Sequence, residues 1–169
     1  MSTKKNNIIL IGMPGAGKST IGIILAKFLS RDFLDTDVLI QVTEGRSLQD
    51  IIDKDGYLAL RAIEERVLLD LHCKNHIIAT GGSAVYSNAA MEYLKQEGIV
   101  VFLDVDIAIL KKRLQDIHSR GLVKRPEQSL DDLYAERLCL YKKYADITVL
   151  SSNLSQENIC DAIIKQLNQ

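Results

Sequence analysis

Residues Ile8-Ile9-Leu10-Ile11 form a short apolar run that breaks at once into Gly12-Met13-Pro14-Gly15-Ala16-Gly17-Lys18-Ser19. This is the G-x-x-x-x-G-K-[ST] spacing, set between a predicted strand and a predicted helix. The glycines let successive backbone N–H groups turn inward and cradle a phosphate at the positive end of the following helix. Lys18 adds a flexible point charge for the β- and γ-phosphates, and the Ser19 hydroxyl is spaced to bind Mg²⁺. Gly12, Pro14, Gly15, Ala16, Gly17, Lys18, Ser19 and Thr20 are therefore candidate nucleotide-binding residues, with Lys18 also a candidate for catalysis. The loop implies binding of a nucleoside triphosphate.

Around this unit, short apolar runs alternate with helical patterns, which predicts an α/β chain with a mainly parallel sheet. Strand candidates are Ile8–Ile11, Phe33–Leu34, Ile77–Ala79, Ile99–Leu103 and Ile147–Leu150. After the loop, Ile21, Ile24, Leu25, Phe28 and Leu29 make an apolar helical stripe. Ser47-Leu48-Gln49-Asp50 reads as a capping box, and Leu60, Ile63, Val67 and Leu71 share one face of a longer helix. Further helices are predicted near 88–97, 106–118, 130–143 and 156–167.

With 169 residues, 47% of them hydrophobic and 25% charged, the chain reads as one domain of ordinary globular composition. A net charge of −1 gives no global attraction to nucleic acid or membranes. The basic N-terminus is followed by only four apolar residues before the phosphate loop, so no targeting segment is expected. Cys73, Cys139 and Cys160 are odd in number and widely spaced, which predicts reduced, mostly buried thiols in a cytoplasmic protein.

Asp35-Thr36-Asp37 lies just past the second predicted strand, at the edge of a parallel sheet where ligands bind. One carboxylate can hold Mg²⁺ while the other orients or deprotonates an attacking hydroxyl, although an Asx turn would also place two such residues together. Asp104 ends another apolar run and is a rival Mg²⁺ residue or a helix cap. Arg61 and Arg137 could clamp a carboxylate bidentately or form helix ion pairs. Gly81-Gly82 follows the third strand and permits close backbone approach to a ligand, or simply a turn. Lys111, Lys112 and Arg113 read as a solvated helix face, whereas Arg120, Lys124 and Arg125 precede Pro126 in a stretch suited to a lid over phosphates. No aromatics interleave these basic residues, which argues against a nucleic-acid patch.

In this order the motifs resemble the shikimate kinases, small P-loop proteins of the nucleoside-monophosphate-kinase-like group, over nearly the whole chain. The resemblance rests on Gly12–Ser19, Phe33-Leu34-Asp35-Thr36-Asp37, Gly45-Arg46-Ser47, Asp55-Gly56 with Arg61, Ile78-Ala79-Thr80-Gly81-Gly82, Arg125-Pro126 and Arg137 with Leu140-Tyr141. It implies a three-layer α/β/α P-loop kinase fold, spanning 1–169, with a five-stranded parallel sheet. Substrate-binding helices would lie at about 37–65 and a small lid at about 118–130.

It also implies ATP- and Mg²⁺-dependent phosphorylation of the 3-hydroxyl of shikimate by a monomer. Asp37, Arg61, Gly81, Gly82 and Arg137 would hold the substrate, with Asp37 also catalytic. Arg120 and Arg125 would act from the lid, the latter in catalysis, and Asp35 would support Mg²⁺ at Ser19. Gln156 is a candidate near the adenine. The chain departs from the family around the acceptor. Ser83 replaces a third consecutive glycine, Ile52 and Leu60 replace aromatics, Tyr57 replaces a glutamate, and Glu127-Gln128 replaces an apolar pair.

Overall fold

The computed structural model describes residues 6–115 and 122–169. Five strands, β1 (Asn7–Ile11), β2 (Asp32–Asp35), β3 (His76–Ala79), β4 (Gly98–Asp104) and β5 (Ile147–Leu150), form one parallel sheet in the order β2-β3-β1-β4-β5. β1 is at the centre and buried along its length, as a strand covered by helices on both faces must be. Its registers, Ile8 opposite Ile77 and Ile99, align the carboxyl ends of β1, β3 and β4 beneath one cleft.

The crossovers supply α1 (Lys18–Leu29), α2 (Thr36–Glu44), α3 (Leu48–Asp55), α4 (Tyr57–Leu69), α5 (Asn88–Glu97), α6 (Ile107–Gln115), α7 (Leu130–Tyr144) and α8 (Gln156–Leu167). A 3₁₀ turn covers Ala84–Tyr86. The stripe on α1 is turned inward, with Ile21 and Leu25 buried against the sheet. The capping box opens α3 as predicted, with the Ser47 hydroxyl accepting from Asp50 N and the Asp50 carboxylate accepting from Ser47 N.

Two findings depart from the residue patterns. α2 begins directly after β2, so the Asp35-Thr36-Asp37 turn is itself a helix start. The side chain of Asp35 caps it, accepting from Asp37 N at 2.9 Å and Val38 N at 3.3 Å. The thiols also differ from expectation, since Cys160 is buried, Cys73 half-buried and Cys139 exposed.

The main core lies between the sheet and its helices. A smaller apolar cluster of Ile40, Ile51, Leu60, Val67 and Val123 ties α2, α3 and α4 together beside the cleft. Arg46 pairs with Asp55 across the α2–α3 turn. That cluster lets a helical subdomain sit over the sheet edge without joining the sheet.

Candidate active site

The cleft at the carboxyl edge of the sheet encloses about 870 Å³. Its floor is the phosphate loop. Gly17 precedes α1 at φ 94°, a left-handed conformation that disfavours any side chain and swings the first amides of α1 toward the cleft. Lys18 is buried there and donates to the carbonyls of Gly12 at 2.7 Å and Met13 at 2.9 Å. Burial lowers its pKa to about 8, partly offset by the carboxylates of Asp37 and Asp35. Phosphates beside it would restore full charge.

α6 braces this loop. Arg113 donates to the Gly15 carbonyl at 2.9 Å and lines the cleft, and Lys111 pairs with Asp131 at 2.6 Å. The expected solvated face is thus in part a support for the phosphate loop, because the α6 axis runs past the loop.

Ser19 donates to Asp35 Oδ2 at 2.5 Å. Two hard oxygens at the mouth of a polar cleft, with space for water, suit Mg²⁺. Among the described residues no group of three or more His, Cys, Asp or Glu side chains is placed to hold a metal ion by itself. Asp104 lies at the end of β4 with its pKa raised by burial, and it is absent from the cleft lining. The residue that meets Ser19 is Asp35.

The acceptor end is built by α2, α4, the loop after β3, and α7. Asp37 in the first turn of α2 faces Gly81, whose amide donates to the Thr36 hydroxyl at 3.2 Å. A Cβ at Gly81 would lie 2.8 Å from Asp37 Oδ1 and collide with Glu64 Oε1, so both carboxylates converge on this glycine. At Gly82 a Cβ would lie 2.7 Å from both Arg137 Nη1 and Pro14 Cδ. Tyr141 donates to the Gly82 carbonyl at 2.7 Å and stacks on Phe102, fixing the glycine loop against β4.

Arg137 is fully buried and donates to the Val123 carbonyl, yet its Nε has no partner. Arg61 lies across the Tyr86 ring, with its guanidinium carbon 3.6 Å from the ring centre, and its buried Nε is likewise unpartnered. Tyr57, which stands where the family has glutamate, adds a second ring at 5.3 Å from the same guanidinium. Arg61 lines an adjoining pocket of about 190 Å³ rather than the main cleft, with Glu64 and Ser83 forming the wall between the two.

Glu64 is 3% exposed and accepts from the Ser83 hydroxyl through Oε2, while its Oε1 has no partner. Burial raises its pKa to about 7, with the Ser83 bond acting in the opposite direction and Asp37 adding to the rise. Neither Glu64 nor Tyr86 stands out in the sequence. Glu64 reads as one acid of an exposed Glu64-Glu65-Arg66 helix segment, and only its proximity to Arg61 by one helical turn hints otherwise.

Of the basic stretch, Arg120 lies outside the described residues. Arg125 donates to Glu136 Oε2 at 2.9 Å and lines neither pocket. Gln128 is buried and donates to the same carboxylate at 3.2 Å, so this segment docks through polar contacts, as the residue types predict. Gln156 opens α8, exposed and away from the cleft lining.

A family model described as "Shikimate kinase" matches residues 14–168. The chain belongs to the shikimate kinase family. Its identity to a shikimate kinase of Rippkaea orientalis is 41% over 165 residues, covering 95% of this chain and 87% of that one. Among solved structures, a shikimate kinase from Acinetobacter baumannii in complex with shikimate matches with a TM-score of 0.87 at 34% identity, over 96% of this chain and 93% of that one. The Aquifex aeolicus shikimate kinase gives 0.83 at 35% identity, over 96% of both chains. The P-loop kinase fold, and membership of a family of small-molecule phosphotransferases that use ATP, are thereby established for this shikimate kinase relative. None of the helices among its described residues is long and apolar enough to cross a membrane.

Proposed function

We propose that this protein transfers the γ-phosphoryl group of ATP to the 3-hydroxyl of shikimate, giving shikimate 3-phosphate and ADP. The observation that carries the reading is the distribution of unsatisfied groups. The buried side-chain atoms without hydrogen-bond partners among the described residues are Arg61 Nε, Arg137 Nε and Glu64 Oε1; Glu64 and Arg137 line the cleft, and Arg61 lines the pocket that adjoins it across Glu64 and Ser83. Buried polar groups are ordinarily paired. Two cationic donors and one acceptor left open are the complement of a ligand that carries both a carboxylate and hydroxyls.

We assign the roles as follows. Arg61 and Arg137 clamp the acceptor carboxylate, and the Gly81-Gly82 backbone lets the ring approach closely. Asp37 orients the 3-hydroxyl and takes its proton as the oxygen attacks the γ-phosphorus. The new O–P bond forms while the bond to the bridging oxygen of ADP breaks. Lys18 and the amides of the phosphate loop, Gly12 through Thr20, hold the β- and γ-phosphates. Ser19 and Asp35 would hold Mg²⁺, which supplies charge neutralisation at the phosphate oxygens.

Arg125 belongs to a lid over about 118–130 that leaves Glu136 to reach the phosphates, and Arg120 serves the same lid. Closure keeps water from taking the phosphoryl group. We place the adenine near Ser152–Gln156. In this reading the enzyme works as a monomer in the cytoplasm, where the free thiols of Cys73, Cys139 and Cys160 stay reduced.

The test is ADP formation with Mg²⁺ and ATP, measured with shikimate, quinate or gluconate, or without acceptor. Turnover stimulated by shikimate well above the others is expected. ATP binding without shikimate stimulation would overturn the assignment and move it to another polyhydroxy acid.

A further inference from the structure

The phosphate loop and the glycine loop after β3 abut directly, since a Cβ on Gly82 would lie 2.7 Å from Pro14 Cδ. One buried hydroxyl stands at that seam. Tyr141 on α7 is 1% exposed and donates its proton to the Gly82 carbonyl at 2.7 Å, while Met13 Sδ of the phosphate loop lies 3.8 Å from the same oxygen. A tyrosine has one O–H to give, and the carbonyl is a far better acceptor than a thioether. We propose that Tyr141 is a positioning residue for phosphoryl transfer: its hydroxyl sets the glycine loop in register with the phosphate loop, and so fixes the gap over which the group is passed. The inference rests on the reading of this cleft as a site where an acceptor hydroxyl lies beside Gly81-Gly82.

The hydroxyl is itself held firmly. The Tyr141 ring stacks on Phe102 with centroids 5.0 Å apart. Phe102 lies on β4 opposite Ile11, the last residue of β1 before the phosphate loop begins. The loop that receives the donor and the ring that grips the glycine loop therefore share one pair of strands. Met13, the other neighbour of the hydroxyl, uses its backbone carbonyl to receive Lys18 at 2.9 Å. On the acceptor side, the peptide bond from Gly82 to Ser83 is planar and trans, so its carbonyl and the Ser83 amide point in opposite directions. Fixing the carbonyl also fixes that amide, in a residue that lines the cleft. Arg137 stands one helical turn before Tyr141 on the same face of α7. Burial pushes the Tyr141 hydroxyl up to about 12, against the opposing effect of Arg137, so at neutral pH it stays a protonated donor. Its part is to hold a backbone group, not to exchange a proton.

Tyr141→Phe keeps the ring and its stack and removes only the hydroxyl. The kcat for shikimate phosphorylation should fall by roughly 10-fold, because small misplacements of reacting groups cost rates of that order or more. The Kd for ATP should stay within about twofold, since the side chains that hold the phosphates are untouched. With the acceptor out of register, water takes a larger share of the γ-phosphoryl group. The ratio of inorganic phosphate to phosphorylated shikimate, read by phosphorus NMR, should therefore rise by at least about threefold. Ile163→Val is the comparator. Ile163 is fully buried on α8 in the same core, so its truncation lowers Tm by leaving a small cavity, with kcat and the product ratio staying within about twofold of the parent.

Parent values of kcat and of the product ratio in Tyr141→Phe would overturn the positioning role and leave the acceptor reading standing. An equal drop in kcat and an equal rise in phosphate release in Ile163→Val would overturn it too, because the effect would then be one of general stability. A parent enzyme that shikimate does not stimulate would remove the acceptor reading and the role of Tyr141 together.

Discussion

The Tyr86 ring lies beneath the Arg61 guanidinium while the Tyr86 hydroxyl donates to Glu136, the carboxylate that also receives Arg125. One side chain therefore touches both Arg61 and the carboxylate that anchors Arg125. The two contacts are separable by mutation. Tyr86→Phe keeps the ring and should change the shikimate KM less than twofold. Tyr86→Leu removes the face that supports Arg61 and should raise the KM by about 3- to 10-fold, the range of a partly desolvated cation–π contact. Initial-rate kinetics at saturating ATP would distinguish them, and equal KM values in the two variants would contradict the ring's role.

Asp37→Asn keeps the size of the side chain and removes its basicity. We expect kcat to fall by at least about 100-fold, the usual contribution of a general base. The Kd for ATP, measured by calorimetry or fluorescence, should stay within about twofold because Lys18, Ser19 and Asp35 are untouched. Normal turnover in this variant would remove Asp37 from the chemistry.

Glu64 makes stability depend on pH in a defined direction. Burial lifts its folded-state pKa to about 7 from an ordinary 4.5, so the folded chain holds this proton more tightly than the unfolded chain does. The associated stability is fully present below pH 4.5, declines as pH rises through the window up to about 7, and is absent above it. Its size is on the order of 3 kcal/mol. Urea denaturation at pH 5 and pH 8 should therefore show a larger loss for the parent than for Glu64→Gln. Identical losses would mean that Glu64 titrates normally.

Gly82→Ala tests the close packing of the glycine loop. Its Cβ would come within 2.7 Å of both Pro14 and Arg137, and neither can retreat easily, one being a ring and the other buried. A loss of about 1–3 kcal/mol in stability is expected from such overpacking, together with a raised KM for shikimate. Thermal melting and steady-state kinetics on the same preparation would measure both. A variant with unchanged Tm and KM would show that the loop has slack.

The parts of the site that were legible in the sequence are local ones. The phosphate loop is a contiguous motif whose backbone does the work, and Asp35 and Asp37 follow a strand that must end at the sheet's functional edge. The capping box at Ser47 was legible for the same reason. Arg61 and Arg137 were legible as a possible clamp from residue type alone, but the Tyr86 ring that both guanidinium groups approach was not. Glu64 was hidden altogether, since its burial is created by a loop some twenty residues further along the chain. Lys111, Lys112 and Arg113 are exposed on α6, as the solvated-face reading expects, but the contact of Arg113 with Gly15 spans 98 positions and leaves no local pattern.

Asp35 divides its two carboxylate oxygens between neighbours, one capping α2 and the other receiving Ser19 from α1. Asp37, two positions along, is thus surveyed from the same benchmark as the phosphate loop. Under the proposed roles, the groups that hold the phosphoryl donor and the one that orients its acceptor are thus set out from a single side chain.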